Sequence, residues 1–166
     1  MKILGKFPST RLRRVRNSDW VRRLISENNL SANDLILPIF LTEGKNKKEK
    51  IKTMPGIYRY SLDKLSSILD EAEKFKIPMI ALFPNTSNHQ RDPNGSEALN
   101  ENNLVCRAIK LIKKKYNKFG VMTDVALDPY TSHGHDGIIL NGKIDNDETL
   151  KILEKQVGLK RETEYI

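Results

Sequence analysis

Three near-continuous apolar runs punctuate the chain at an even interval. They are "DLILPIFL" from Asp34, "IPMIALFP" from Ile77 and "GVMTDVALDP" from Gly120, each starting 43 residues after the one before. Such runs are the pattern of parallel strands covered on both faces. Between them the apolar positions recur every three or four residues, as on a helix with one buried face. Residues 61–75 place Leu62, Leu65, Leu69 and Ala72 on one face, with Ser61 as N-cap. Residues 102–116 bring Leu104, Ala108, Leu111 and Ile112 together. A shorter helix over 18–28 turns Trp20, Val21, Leu24 and Ile25 inward, and another begins over 147–156 with Asp147 as its cap. One helix, then strand–helix three times, predicts an α/β fold with a parallel sheet. A helical solenoid has a similar period, but the strand-like runs argue against it.

The connections are uneven. Helix-to-strand turns are short, "KFK" before Ile77 and "NKF" before Gly120, whereas each strand-to-helix connection runs to about 20 residues. Long segments gathered on one side need a purpose. In a β/α barrel that side is the C-terminal face of the strands, where the active site lies. The third connection contains "IILNGKI", a small hairpin with Asn141-Gly142 as its type I′ turn. Eight strands close such a barrel, and eight units of this period need on the order of 340 residues. The chain has 166. Three units by themselves leave one sheet face and both edges exposed.

Composition narrows the class. Hydrophobic residues make up 38% and charged residues 30%, a globular balance. No apolar run reaches the roughly 18 residues that span a bilayer, and "MKILGKFPSTRLRRVR" lacks a signal-peptide core. The expectation is a cytoplasmic protein with no membrane partner. The one cysteine, Cys106, excludes an internal disulfide and a multi-cysteine metal site, and reads as a small buried apolar residue. The net charge of +8 is spread over "RLRRVR" at 11–16, "KNKKEKIK" at 45–52 and "KLIKKKYNK" at 110–118. Tyr116 apart, no aromatic residue interleaves with these charges, so no nucleic-acid partner is expected. A basic nucleic-acid-binding domain is the weaker alternative.

Candidate chemistry gathers in "DVALDPYTSHGHDG", Asp124 to Gly137. If the third strand continues through it, Val121, Thr123, Val125 and Leu127 share one face. Met122, Asp124, Ala126 and Asp128 then share the other, turned away from the helices. Asp128 reaches water at the strand's end. Asp124 lies deeper, where a carboxylate needs a partner: a cation, a substrate amine or a lysine. A buried salt bridge between strands is the competing explanation. Asp128, His133, His135 and Asp136 offer carboxylate and imidazole ligands, but their spacing matches no strong zinc pattern. A polar lid whose histidines bond to backbone accounts for the same residues.

The same segment closely resembles the third-strand motif of the porphobilinogen synthase (5-aminolevulinate dehydratase) family. "RLRRVR", "WVRRLISENNLSANDLILPIF", "MPGIYRYSLDKL", "IPMIALFP", "EALNENNLVCRAIKLIKK" and "NDETLKILEKQ" agree with it in order, from Arg11 to Gln156. The resemblance implies a (β/α)8 TIM barrel, of which this chain holds about the first three units over 18–156. An extended basic N-terminal arm, residues 1–17, precedes them. It implies condensation of two 5-aminolevulinate molecules to porphobilinogen with loss of two waters, in tetrapyrrole (heme) biosynthesis. It also implies a homo-octamer assembled through the arm. Asp124 matches the family's aspartate beside the substrate amine. The zinc-dependent branch has cysteines where this chain has Ala126, Asp128 and Asp136. The resemblance therefore implies no zinc, with Asp128 and Asp136 holding magnesium or a monovalent cation.

The chemistry also needs a desolvated lysine for Schiff-base formation. The three strands contain none, and in the family these lysines come from later strands. After Gln156 the text "VGLKRETEYI" (157–166) diverges, as abruptly as a frameshift or truncated gene would make it. Two expectations stand: an enzyme of the family represented by its N-terminal half and inactive alone, or a non-catalytic remnant or assembly subunit.

Overall fold

The computed structural model describes residues 5–164. Residues 1–4 of the expected arm and 165–166 of the expected tail lie outside them. The chain divides into two compact units, one ending at Ser31 and the other starting at Ala32.

The first unit holds a 3-10 turn, Arg14–Arg16, and a six-residue helix α1, Asp19–Leu24. The helix is shorter than the 18–28 expected, and it buries none of its residues. Trp20 (64% exposed), Leu24 (77%) and Ile25 face solvent instead of turning inward, and Val21 is half-buried. So short a helix has little intrinsic stability. Its local ties are the ion pair from Asp19 to Arg23 at 3.0 Å and the Arg11 guanidinium over the Phe7 ring nearby.

The second unit is a sheet with helices against it. Its elements are β1 (Ile36–Thr42), β2 (Lys48–Lys50), β3 (Tyr58–Tyr60), α2 (Leu65–Lys74), β4 (Met79–Asn85), α3 (Leu104–Lys115), β5 (Gly120–Thr123), β6 (Ile138–Leu140), β7 (Lys143–Asp145) and α4 (Asn146–Glu164). The sheet order is β2-β3-β1-β4-β5. β3, β1, β4 and β5 run parallel, and only β2 is antiparallel to its neighbour. The period in the sequence thus becomes β1, β4 and β5 side by side. The first long strand-to-helix connection carries two further strands, β2 and β3, that the apolar pattern does not predict. β3 pairs with β1 at Phe40↔Arg59 and Leu41↔Tyr60, so the β1 edge is partly covered.

Period-two alternation decides what each strand buries. Ile39 and Leu41 of β1 and Ile80 and Leu82 of β4 are fully buried. They pack with Leu65, Leu69 and Ala72 of α2 and with Leu104, Ala108 and Ile112 of α3 in one cluster. Each buried Leu or Ile side chain among them contributes about 1.5–3 kcal/mol. Asn103 caps α3, accepting the Cys106 N–H at 2.9 Å, and Cys106 is buried as expected. Ser61 precedes the turn that leads into α2 but does not cap it. Its buried hydroxyl accepts the Lys47 N–H and donates to Asp63, tying the helix start to the β1–β2 loop.

Two expectations on the third unit are corrected. β5 ends at Thr123, so Asp124–Asp128 is not strand. Ala126, expected beside Asp124, is buried while Val125 is exposed, because without a ladder the alternation lapses. Asp124 is exposed rather than deep. The cap of α4 is Asp145, which accepts the Glu148 N–H at 3.0 Å, whereas Asp147 lies within the first turn. The β6–β7 hairpin turns at Asn141 and Gly142, both at positive φ, as a type I′ turn requires. α4 continues without a break through "VGLKRETE" to Glu164.

Candidate active site

The helix-averted face of the sheet presents Phe40 of β1 opposite Phe83 of β4 in register. Their rings stack with centroids 5.6 Å apart. Just above them, at the C-terminal ends of the strands, lies a cavity of about 190 Å³. Arg59 of β3, Asn85 of β4, and Asp124 and Asp128 beyond β5 give it its polar lining. Parallel pairing brings these four residues together from three separate stretches of chain. The structure therefore joins Asp124 and Asp128, as their spacing suggested, and adds Arg59 and Asn85. Arg59 had a readable signal. In "YRY" the tyrosines alternate with it, so a strand that buries Tyr60 must turn Arg59 the other way.

The electrostatics are uneven. Partial burial, then the negative charges of Asp136 and Asp124, push the Asp128 carboxyl above its usual range. Arg91 opposes this weakly. Asp136 is tethered, its Oδ1 accepting the Leu127 N–H at 2.5 Å. Among the described residues, no three His, Cys, Asp or Glu side chains gather to hold a metal ion.

The His133 ring bonds to backbone. His133 Nε2 lies 3.2 Å from the Pro93 carbonyl, and its Nδ1 accepts the His135 N–H. The His135 carbonyl accepts the Thr131 hydroxyl at 2.8 Å. A parallel bridge between Asp92 and Thr131 ties this loop to the one after β4. Below it, Leu127, Tyr130, Ala98 and Ile138 form a second core, against which Ile152 and Leu153 of α4 pack.

Among the described residues, no lysine lines the cavity, and one lysine is buried, in the stretch expected to diverge. Lys160 of α4 is 7% exposed and donates to the Asp124 carbonyl oxygen. Burial holds its amine below the ordinary lysine range. The sequence carried no sign of this, because a lysine late in an amphipathic pattern reads as solvated.

A mostly parallel β/α sheet, with long loops and an acidic cavity at the C-terminal ends of its strands, places the chain among α/β proteins whose sites lie at that mouth. The family model for delta-aminolevulinic acid dehydratase matches residues 9–162, and the chain belongs to that family. The match runs past Gln156, to residue 162 within the segment expected to diverge. The dehydratase of Bradyrhizobium diazoefficiens is 51% identical over 92% of this chain, and that of Methanothermus sociabilis is 46% identical over 90%. The chain spans only 43% and 46% of the lengths of these relatives. A crystal structure of delta-aminolevulinic acid dehydratase (porphobilinogen synthase) from Toxoplasma gondii ME49, in complex with the reaction product porphobilinogen, superposes with a TM-score of 0.86 at 35% identity. The superposition covers 93% of this chain and 44% of that one.

Proposed function

We propose that the chain supplies the first three β/α units of an eight-stranded dehydratase barrel. That barrel condenses two 5-aminolevulinate molecules to porphobilinogen with loss of two waters, in heme biosynthesis. The observation that carries this reading is the convergence of Arg59, Asp124 and Asp128 on one cavity at the strand mouth, in a chain of this family. 5-Aminolevulinate has an ammonium at one end and a carboxylate at the other. Asp124 is the partner for the ammonium, and Arg59 suits the carboxylate, which it can bind through two parallel bonds.

Asp128 and Asp136 offer hard oxygen donors. A magnesium or monovalent cation held by them would neutralise the charge that raises Asp128, and without thiolates zinc is disfavoured. Calorimetry should show zinc binding no tighter than micromolar; sub-micromolar zinc affinity that depends on His133 and His135 would reject this assignment. By the same reading the protein is cytoplasmic, with the N-terminal residues 1–17 as the arm of a homo-oligomer, an octamer.

A second reading, a non-catalytic remnant or assembly subunit, is favoured by the lysine-free lining of the cavity. Borohydride trapping with 5-aminolevulinate separates the two states of the system. The 166-residue chain alone should yield no stoichiometric lysine adduct and no porphobilinogen. Co-expressed with the C-terminal part of the Bradyrhizobium relative, it should form porphobilinogen, and Asp124→Asn should abolish that activity. Activity that survives Asp124→Asn, or none in the complemented preparation, would reject the catalytic reading.

A further inference from the structure

The ladder between β4 and β5 ends at Leu82↔Thr123. The carbonyls of Asp124 and Ala126 lie beyond it, and α4 supplies donors to both. Gln156 Nε2 donates to the Ala126 carbonyl at 3.1 Å, and Lys160 Nζ donates to the Asp124 carbonyl. Four residues apart, the two side chains stand one turn from each other on the same helix face. Gln156 is fully buried and Lys160 nearly so. On the same helix Leu150 and Val157 are exposed, the reverse of what an amphipathic pattern would give. Burying an amide and an amine costs free energy unless each is bonded, and ordering a lysine chain costs more than ordering leucine. Packing alone would be served by apolar residues. What Gln156 and Lys160 add is a hold on two particular carbonyls.

We infer that Gln156 and Lys160 are positioning residues, a two-point clamp from α4 on the Asp124–Ala126 segment that sets where the Asp124 and Asp128 carboxylates stand at the cavity. The next residue, Leu127, completes the hold: its side chain is fully buried and its N–H donates to Asp136. Asp124 and Asp128 thus flank an anchored stretch. The amine of Lys160, its pKa lowered by burial, donates to the Asp124 carbonyl. The clamp draws its functional meaning from the dehydratase reading of the cavity, but its test does not use activity.

That test is hydrogen exchange, read by mass spectrometry on the full 166-residue chain. Lys160→Met and Gln156→Met remove the donors while keeping apolar length. Each should speed exchange over 125–128 by about tenfold, the loss of roughly one hydrogen bond. Peptides from α2 and α3 should keep wild-type protection, and Lys160→Arg, which keeps a donor, should restore the slow exchange. Unchanged exchange over 125–128 in both methionine variants would overturn the clamp. So would equal acceleration throughout the core, or a Lys160→Arg chain as fast as Lys160→Met. Should Lys160→Met fail to fold, Gln156→Met and Lys160→Arg decide by the same criteria. Failure here would leave the complementation result on Asp124 untouched, and the reverse holds as well.

Discussion

Lys160 is set by its environment rather than by its type. Its folded-state pKa lies below 10.5 because burial disfavours the charged amine. The unfolded chain therefore binds the proton more tightly than the folded one. The group's contribution to stability is present above pH 10.5 and is lost as pH falls through the folded-state value. Urea unfolding measured stepwise from pH 8 to 10.5 should show stability gained from this group as pH rises, and Lys160→Met should remove that gain. A difference between wild type and variant that does not change with pH would show that the amine is not desolvated in the folded chain. Asp128 has the opposite sign. Its raised carboxyl contributes stability at low pH that is lost as pH rises through the folded-state value. The two groups act in separate windows, so Asp128 is read in a second urea series, in the acid range.

β4 separates packing from surface within two adjacent residues. Leu82 is buried against α2 and α3, while Phe83 is 37% exposed on the opposite face beside Phe40. Leu82→Ala should cost about 2–5 kcal/mol, since it deletes a side chain and leaves a cavity. Phe83→Ala should cost less than half as much in the isolated chain, because that face has little over it to lose. Denaturant midpoints for the two variants measure the contrast, and equal losses would mean that the Phe83 face is covered. Strands and helices of this unit were legible wherever apolar period and length agreed, as in β1, β4, α2 and α3. β3 was not, because three residues make too short a run to stand out. The end of β5 was not either. "VMTDVALDP" alternates well enough to read as strand throughout, yet the ladder stops at Leu82↔Thr123, three residues before β4 itself ends.

The second unit presents apolar surface that a closed barrel would cover. Ile36, Phe83 and Met122 share the helix-averted face, with Met122 44% exposed, and β5 has no neighbour on its outer edge among the described residues. Exposed apolar area beside an open strand edge promotes association. The 166-residue chain expressed alone should sediment as oligomers or collect in inclusion bodies, and co-expression of the C-terminal part of a relative should raise its solubility. A monodisperse monomer unfolding sharply above roughly 55 °C, within the range of intact domains, would show instead that this sheet is self-sufficient. At the other end of the sheet the short β2 is the edge strand, and β3 covers part of the β1 edge.

What the sequence by itself determined is the order of elements, the faces of α2 and α3, the hairpin turn at Asn141-Gly142 and the prominence of Asp124 and Asp128. These follow from spacing and local backbone preference, which a chain carries along its length. Only the tertiary structure decided that Arg59 joins those aspartates, that β5 stops short of them, that the His133 ring bonds to backbone, and that α4 turns Gln156 and Lys160 inward. Each depends on a partner distant in the sequence. A polar side chain faces inward when a specific unpaired carbonyl waits there, and no local pattern records where that carbonyl will be.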